Sequence, residues 1–142
     1  MATPPSNPQG SPDVSVLIVD DDDESRAAMV SWIQAFGVRA RGARDGIEAL
    51  ALLPEVEPDL ILCDINMPRL DGLGFVRRLR RTRQFRSVLT VAVTGLAGPV
   101  DVTATRDAGF DAHVVKPLSG ETIARLLDRA VDARQARPPQ GA

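Results

Sequence analysis

The stretch Leu60-Ile61-Leu62-Cys63-Asp64-Ile65-Asn66-Met67-Pro68 decides the fold. Leu60 to Cys63 is apolar at every position rather than every second one, the pattern of a strand in a parallel sheet covered by helices on both faces. Asp64 follows directly, so the strand ends on a carboxylate that faces something other than core. In open parallel sheets ligands gather at the carboxyl ends of the strands. Polar groups ending the other apolar runs are therefore the candidates to surround Asp64.

Towards the N-terminus, Val14 to Val19 is the first strand, and Asp20-Asp21-Asp22-Asp23-Glu24 stands at its carboxyl end. Five acids in a row repel one another. A helix starting here relieves part of that cost, because carboxylates near a helix N-terminus are favoured by the dipole and can cap free amides. Met29, Trp32, Ile33 and Phe36 recur at helical spacing up to Gly37, a helix terminator, and read as core packing. Val38 to Ala43, with Arg39 and Arg41, suits an edge strand. Asp45-Gly46 turns into a second helix bearing Ile47, Leu50 and Ala51, whose end Pro54 and Pro58 mark.

Beyond Asp64, Pro68 to Asp71 reads as a loop, and Gly72 opens a helix with Phe75, Val76 and Leu79 inward. Its other face carries Arg77, Arg78, Arg80 and Arg81, continued by Arg83 and Arg86. Clustered Arg without interleaved aromatics on an acidic chain reads as a solvated face rather than a nucleic-acid patch. Gly72 and Gly74 resemble half a dinucleotide fingerprint, but the third glycine is missing and the pair follows a loop. Val88 to Val93 is the fourth strand, ending at Thr94-Gly95. Gly98-Pro99 starts a helix to about Ala108 whose only stripe is Val100, Ala104 and Ala108, so it should be the least firmly packed. Gly109 ends it. Ala112 to Val115 is the fifth strand, read as a buried run with Lys116-Pro117 at its end, and a last helix places Ile123, Leu126, Leu127 and Ala130 inward.

Five strands alternating with five helices predict an α/β fold: a (βα)5 doubly wound, five-stranded parallel sheet joined by right-handed crossovers. At 142 residues the chain suits one domain, predicted over 14–134 between disordered tails at 1–13 and 135–142. Hydrophobic residues at 44% and charged residues at 25% fit a soluble globular protein, and a formal net charge of -2 argues against general nucleic-acid affinity. No apolar stretch reaches the ~18 residues of a membrane span, and no signal-peptide h-region precedes Val14. Cys63, the one cysteine, lies in an apolar run, so a reducing, cytoplasmic setting is the simpler expectation.

Four of the five strands thus end in functional side chains at one edge of the sheet: Asp20 and Asp21, Asp64, Thr94, and Lys116. Three carboxylates in one crevice are held together at neutral pH only by a cation or by protonation. Oxygen ligands completed by water suit Mg²⁺, an ion that often works with phosphate. A lysine and a hydroxyl opposite the metal would receive the other oxygens of a phosphoryl group, so the pattern is a phosphoryl-transfer site with a carboxylate nucleophile. Of the 17 Lys and Arg only Lys116 is lysine, kept where a compact ammonium differs from a planar fork.

Val19-Asp20-Asp21 with Arg26, Asp64-Ile65-Asn66-Met67-Pro68 with Asp71-Gly72, Thr94-Gly95, and Val115-Lys116-Pro117 together resemble the receiver domain of two-component response regulators, the chemotaxis-regulator-like family. The resemblance runs from about Val14 to Arg134 and implies a flavodoxin-like strand order 2-1-3-4-5. It implies that Asp64 accepts a phosphoryl group from a phosphohistidine on a sensor kinase or histidine phosphotransfer protein. It further implies that Asp21 and Asp64 bind Mg²⁺ through side chains, Asn66 through its backbone carbonyl and Asp20 mostly through water. Thr94 and Lys116 would hold the phosphoryl oxygens, with Thr94 moving towards them as the switch. At His113 the family usually has Tyr or Phe that turns inward with the Thr. A switch role and a partly buried structural role both stay open for this lone histidine.

The resulting expectation is a stand-alone receiver, or one similar to those of hybrid kinases, that catalyses only its own phosphorylation and dephosphorylation. It would be a monomer or weak dimer that switches binding to a protein target, without nucleic acid or membrane. A haloacid-dehalogenase-like phosphatase also uses an aspartyl nucleophile, but wants an acid two residues later, where this chain has Asn66. A binding module indifferent to phosphorylation is disfavoured because every expected site residue is present.

Overall fold

A computed structural model describes residues 14–65, 72–95 and 102–136. Five strands, β1 (Ser15–Val19), β2 (Arg39–Ala43), β3 (Leu60–Asp64), β4 (Leu89–Thr94) and β5 (Ala112–Val115), form one parallel sheet in the order β2-β1-β3-β4-β5. Between and after them lie α1 (Asp23–Gln34), α2 (Gly46–Val56), α3 (Gly72–Arg81), α4 (Val102–Ala108) and α5 (Gly120–Ala136), with a 3-10 turn at Arg83–Phe85. This is the doubly wound fold and strand order expected. The N-terminal tail, Asn66 to Asp71, the helix start at Gly98-Pro99 with Val100, and residues 137–142 lie outside the described residues. Helix α5 runs to Ala136, two residues past Arg134.

Alternation along each central strand divides the core in two. Val16 and Ile18, Leu60 and Leu62, Val91 and Val93 pack with Ile33 of α1, with Phe36 just after it, and with Ile123, Leu126, Leu127 and Ala130 of α5. Leu17 and Val19, Ile61 and Cys63, and Ala92 face the other layer, where Ala49, Leu53 and Val56 of α2 meet Phe75, Val76 and Leu79 of α3 and Ala108 of α4. Because both faces are covered, all five β1 residues are buried. Each large aliphatic side chain so removed from water contributes roughly 1.5–3 kcal/mol.

Caps set where the helices begin. Asp22 caps α1 by accepting from Ser25 N–H at 2.8 Å, and Asp45 caps α2 by accepting from Glu48 N–H at 2.8 Å. Ser119 caps α5 through Thr122 N–H at 3.0 Å. The acidic run therefore does open a helix, as the dipole argument requires.

Three local expectations are corrected. Helix α2 does not stop at Pro54 but carries it inside and ends at Val56, capped by Glu57, which takes a left-handed φ of 47°. Pro54 gives up the bond to the carbonyl four residues back and crowds that carbonyl, a cost set against the burial of Leu53 and Val56. The buried face of α2 is Gly46, Ala49, Leu53 and Val56, whereas Ile47 is 46% exposed. Strand β5 is not a buried run. It is the second edge of the sheet, with Ala112 and Val114 packed inward and His113 and Val115 exposed.

Candidate functional site

Strand order places the site. The chain leaves β1 towards β2 on one side and returns to β3 on the other, so the carboxyl ends of β1 and β3 flank the topological switch point. Asp20 and Asp21 follow β1, and Asp64 ends β3. Their carboxylates come together, one oxygen from each lying within 4.8 Å of the other two. Asp20 is buried, Asp64 half-buried and Asp21 exposed, so the cluster opens towards solvent on the Asp21 side.

Asp20 is held from several directions. One carboxylate oxygen accepts from Lys116 Nζ at 3.1 Å and the other from the Asp22 backbone N–H at 2.9 Å. Its backbone carbonyl accepts from Arg26 Nη1 at 2.9 Å, while Arg26 Nη2 bonds Asp23 at 2.6 Å. The lysine is thus brought across the sheet from β5 onto the β1 carboxylate, 96 residues away in sequence. A shallow cleft beside them is lined by Met29, Leu62, Val93, Asp20, Asp64 and Lys116, with Ile18 and Val19. Met29, read as core alone, packs on the core and also lines this cleft.

Thr94 ends β4 and is buried, but its hydroxyl donates to the Val114 carbonyl at 3.4 Å and it does not line the cleft. Its own carbonyl accepts from Lys116 N–H at 2.8 Å, joining the two residues through the backbone. The Lys116-Pro117 peptide is cis. His113 is exposed, which removes the partly buried structural reading: on an edge strand its face is only half covered. Asn66, with its backbone carbonyl, lies outside the described residues.

Two residues near or behind the site have roles that only the three-dimensional structure shows. Gly72 is needed for close approach, since a Cβ there would stand 2.6 Å from Ile65 Cα and 2.7 Å from the Asp64 carbonyl oxygen. Both obstacles are backbone and cannot swing away. Gly72→Ala is therefore expected to lower stability by about 1–3 kcal/mol, the usual cost of overpacking, and to displace Asp64. An unchanged urea midpoint would contradict this. The second residue is Arg80. Arg77, Arg78, Arg81, Arg83 and Arg86 are exposed as expected, but the Arg80 side chain is only 20% exposed and bonds inward. The mixture of apolar and basic positions on α3 does not distinguish it, because its partners are the residue that follows α4, Gly109, and those that precede β4 and β5, Val88 and Asp111.

The family model for the response regulator receiver domain matches residues 16–128, and this chain belongs to that family, a module of two-component signalling. It is 36% identical over 130 residues to the gliding motility regulatory protein of Myxococcus xanthus, covering 91% of this chain and 17% of that protein. It is 36% identical over 105 residues to the polar-differentiation response regulator DivK of Brucella ovis, covering 74% of this chain and 85% of DivK. The solved structure of the chemotaxis protein CheY4 of Vibrio cholerae superposes with a TM-score of 0.76 at 30% identity, covering 83% of this chain and 98% of CheY4. The chain thus spans about a sixth of the Myxococcus protein and most of DivK and CheY4. Among the described residues, no helix is long and apolar enough to cross a membrane.

Proposed function

We propose that this receiver accepts a phosphoryl group on Asp64 from a phosphohistidine of a sensor kinase or histidine phosphotransfer protein, and that the acyl phosphate alters its binding to a protein target. The observation that carries the reading is the meeting of Asp20, Asp21 and Asp64 within 4.8 Å at the switch point, with the chain's one lysine 3.1 Å from Asp20. In the transfer, an Asp64 carboxylate oxygen forms the new O–P bond while the N–P bond of the phosphoimidazole breaks and the imidazole keeps the electron pair. Attack of water on phosphorus later returns the carboxylate and inorganic phosphate.

The donor set fits Mg²⁺: three carboxylates, oxygen only, open to water on one side. Both oxygens of Asp20 have protein partners, which supports a water-bridged role for Asp20. When bound, the ion neutralises charge that develops on the phosphoryl oxygens. The chain's own part is to position and to compensate. Lys116, 31% exposed and already at the rim, can turn from Asp20 to a phosphoryl oxygen. Thr94 reaches that group only by leaving the Val114 carbonyl, and this exchange of hydrogen bonds is the proposed switch. His113, exposed on β5 beside the Thr94 strand, is positioned to follow it.

Phosphotransfer from purified, radiolabelled histidine kinases, with and without Mg²⁺, tests the assignment. Base-labile label that appears on the chain only with the ion supports it, and no label from any donor would sink it. Thr94→Ala should still take label but lose the accompanying change in amide exchange over Val102–Ala108. If that variant responds like the wild type, the switch role of Thr94 is wrong while the acceptor assignment stands.

A further inference from the structure

Arg26 lies in the first turn of α1 and reaches back towards the carboxyl end of β1. Its backbone N–H bonds the Asp22 carbonyl at 2.9 Å, its Nη1 donates to the Asp20 carbonyl at 2.9 Å and its Nη2 to Asp23 Oδ1 at 2.6 Å. The Asp20 backbone is therefore held from both sides, since its own N–H bonds the carbonyl of Ala43, the last residue of β2, at 3.0 Å. The guanidinium gets there because its stem crosses β2 at Gly42. A Cβ on Gly42 would stand 2.9 Å from Arg26 Cγ and 3.0 Å from Cδ. Cγ is near the root of the side chain, so displacing it carries the head along.

The same contacts sort four successive aspartates. The Asp20 carboxylate accepts from Lys116 and from Asp22 N–H, that of Asp22 caps α1 through Ser25 N–H, and that of Asp23 is taken by Arg26. Asp21 has no such partner among the described residues, and it is the exposed member of the three-carboxylate cluster. A loose run of four acids could offer a cation several different sets of oxygens. Here one set is held.

Resting on the cation site proposed above, we propose that Arg26 is a positioning residue for that site, with Gly42 as the notch that admits its stem. The fork fixes the Asp20 carbonyl and takes Asp23 out of the donor set, so that Asp21 is presented to the ion beside Asp20 and Asp64. A planar guanidinium suits this task because it holds a carbonyl and a carboxylate at once in fixed directions. Position and charge act here in opposite directions. As a charge alone, Arg26 repels a cation, and its removal would tighten binding. As a positioning group, its removal loosens binding.

Calorimetric titration of the full chain with Mg²⁺, alongside melts with and without the ion, reads the difference. Arg26→Met keeps a stem over Gly42 but has no donor, and its Mg²⁺ dissociation constant should rise about tenfold, a typical loss when a group that orients metal ligands is removed. Arg26→Lys keeps the charge on one compact head and should fall between. Gly42→Ala, which changes no acidic residue, should weaken binding in the wild-type background and add little in Arg26→Ala, where the stem it would displace is gone. If Arg26→Met does not fold, Gly42→Ala carries the test, and an unchanged constant there overturns the proposal. Lower melts across the series with unchanged dissociation constants would show a role in stability alone, and also overturn it. So would tighter binding by Arg26→Met, which would leave Arg26 acting only as a charge. A wild type that binds no Mg²⁺ removes the cation site and this inference together, whereas equal binding by wild type and Arg26→Met removes the inference alone.

Discussion

Asp64→Asn is expected to abolish phosphoryl acceptance while the domain stays folded. The amide keeps the shape of the side chain but has no anionic oxygen to attack phosphorus, so the O–P bond cannot form. Packing gives no reason for collapse, because Asp64 is half-buried at a strand end and its neighbours Leu62 and Cys63 keep the β3 core contacts. Removing one of three clustered charges also relieves repulsion. The measurement pairs transfer of label from a phosphorylated kinase with a thermal melt. Wild-type labelling of the variant would show that the acceptor is another residue. An unfolded variant would mean that the carboxylate is also structural.

The second large effect concerns the ion. With Asp20, Asp21 and Asp64 within 4.8 Å, a divalent cation held by the three stabilises the native state by linkage, because only the folded chain brings Asp64 to the other two. At ten times its dissociation constant the gain is about 1.4 kcal/mol, which for a domain of this size raises Tm by roughly 3–6 °C. Asp21→Ala should erase the gain, since Asp21 is the exposed carboxylate of the three and is the one proposed, with Asp64, to reach the ion directly. Lacking one charge, that variant should melt no lower than the wild type in the absence of metal. A wild-type melt indifferent to millimolar Mg²⁺ would contradict the metal site. An Asp21→Ala protein that keeps the full gain would move the direct ligand elsewhere.

Much of the architecture could be read in one dimension because it depends on short-range patterns. Unbroken apolar runs such as Val16 to Val19 and Leu60 to Cys63 require a sheet covered on both faces, and the intervening helical stripes supply the cover. Alternating strands and helices then leave a parallel sheet as the natural arrangement, and a parallel sheet carries its strand-end side chains to one edge. That is why Asp20, Asp21, Asp64, Thr94 and Lys116 could be gathered before any coordinates. Where local signals compete with packing, the reading failed: Pro54 looked like a stop and Ile47 like a buried residue. The register of α2 against β1 and β2 buries Ala49, Leu53 and Val56 instead.

The amino-acid sequence by itself determined the layer order, the strand ends and the chemistry of the side chains found there, because these follow from period, capping and residue type. Only the tertiary structure decided which of those side chains meet, and how. It brought Lys116 onto Asp20, turned the Thr94 hydroxyl to Val114, exposed His113 on an edge strand and required a bare α carbon at Gly72. It also separated Arg80 from five neighbouring arginines that look the same in sequence. Its partners Gly109 and Asp111 lie 29 and 31 positions away, and no local period encodes a contact between the end of one helix and the end of the next.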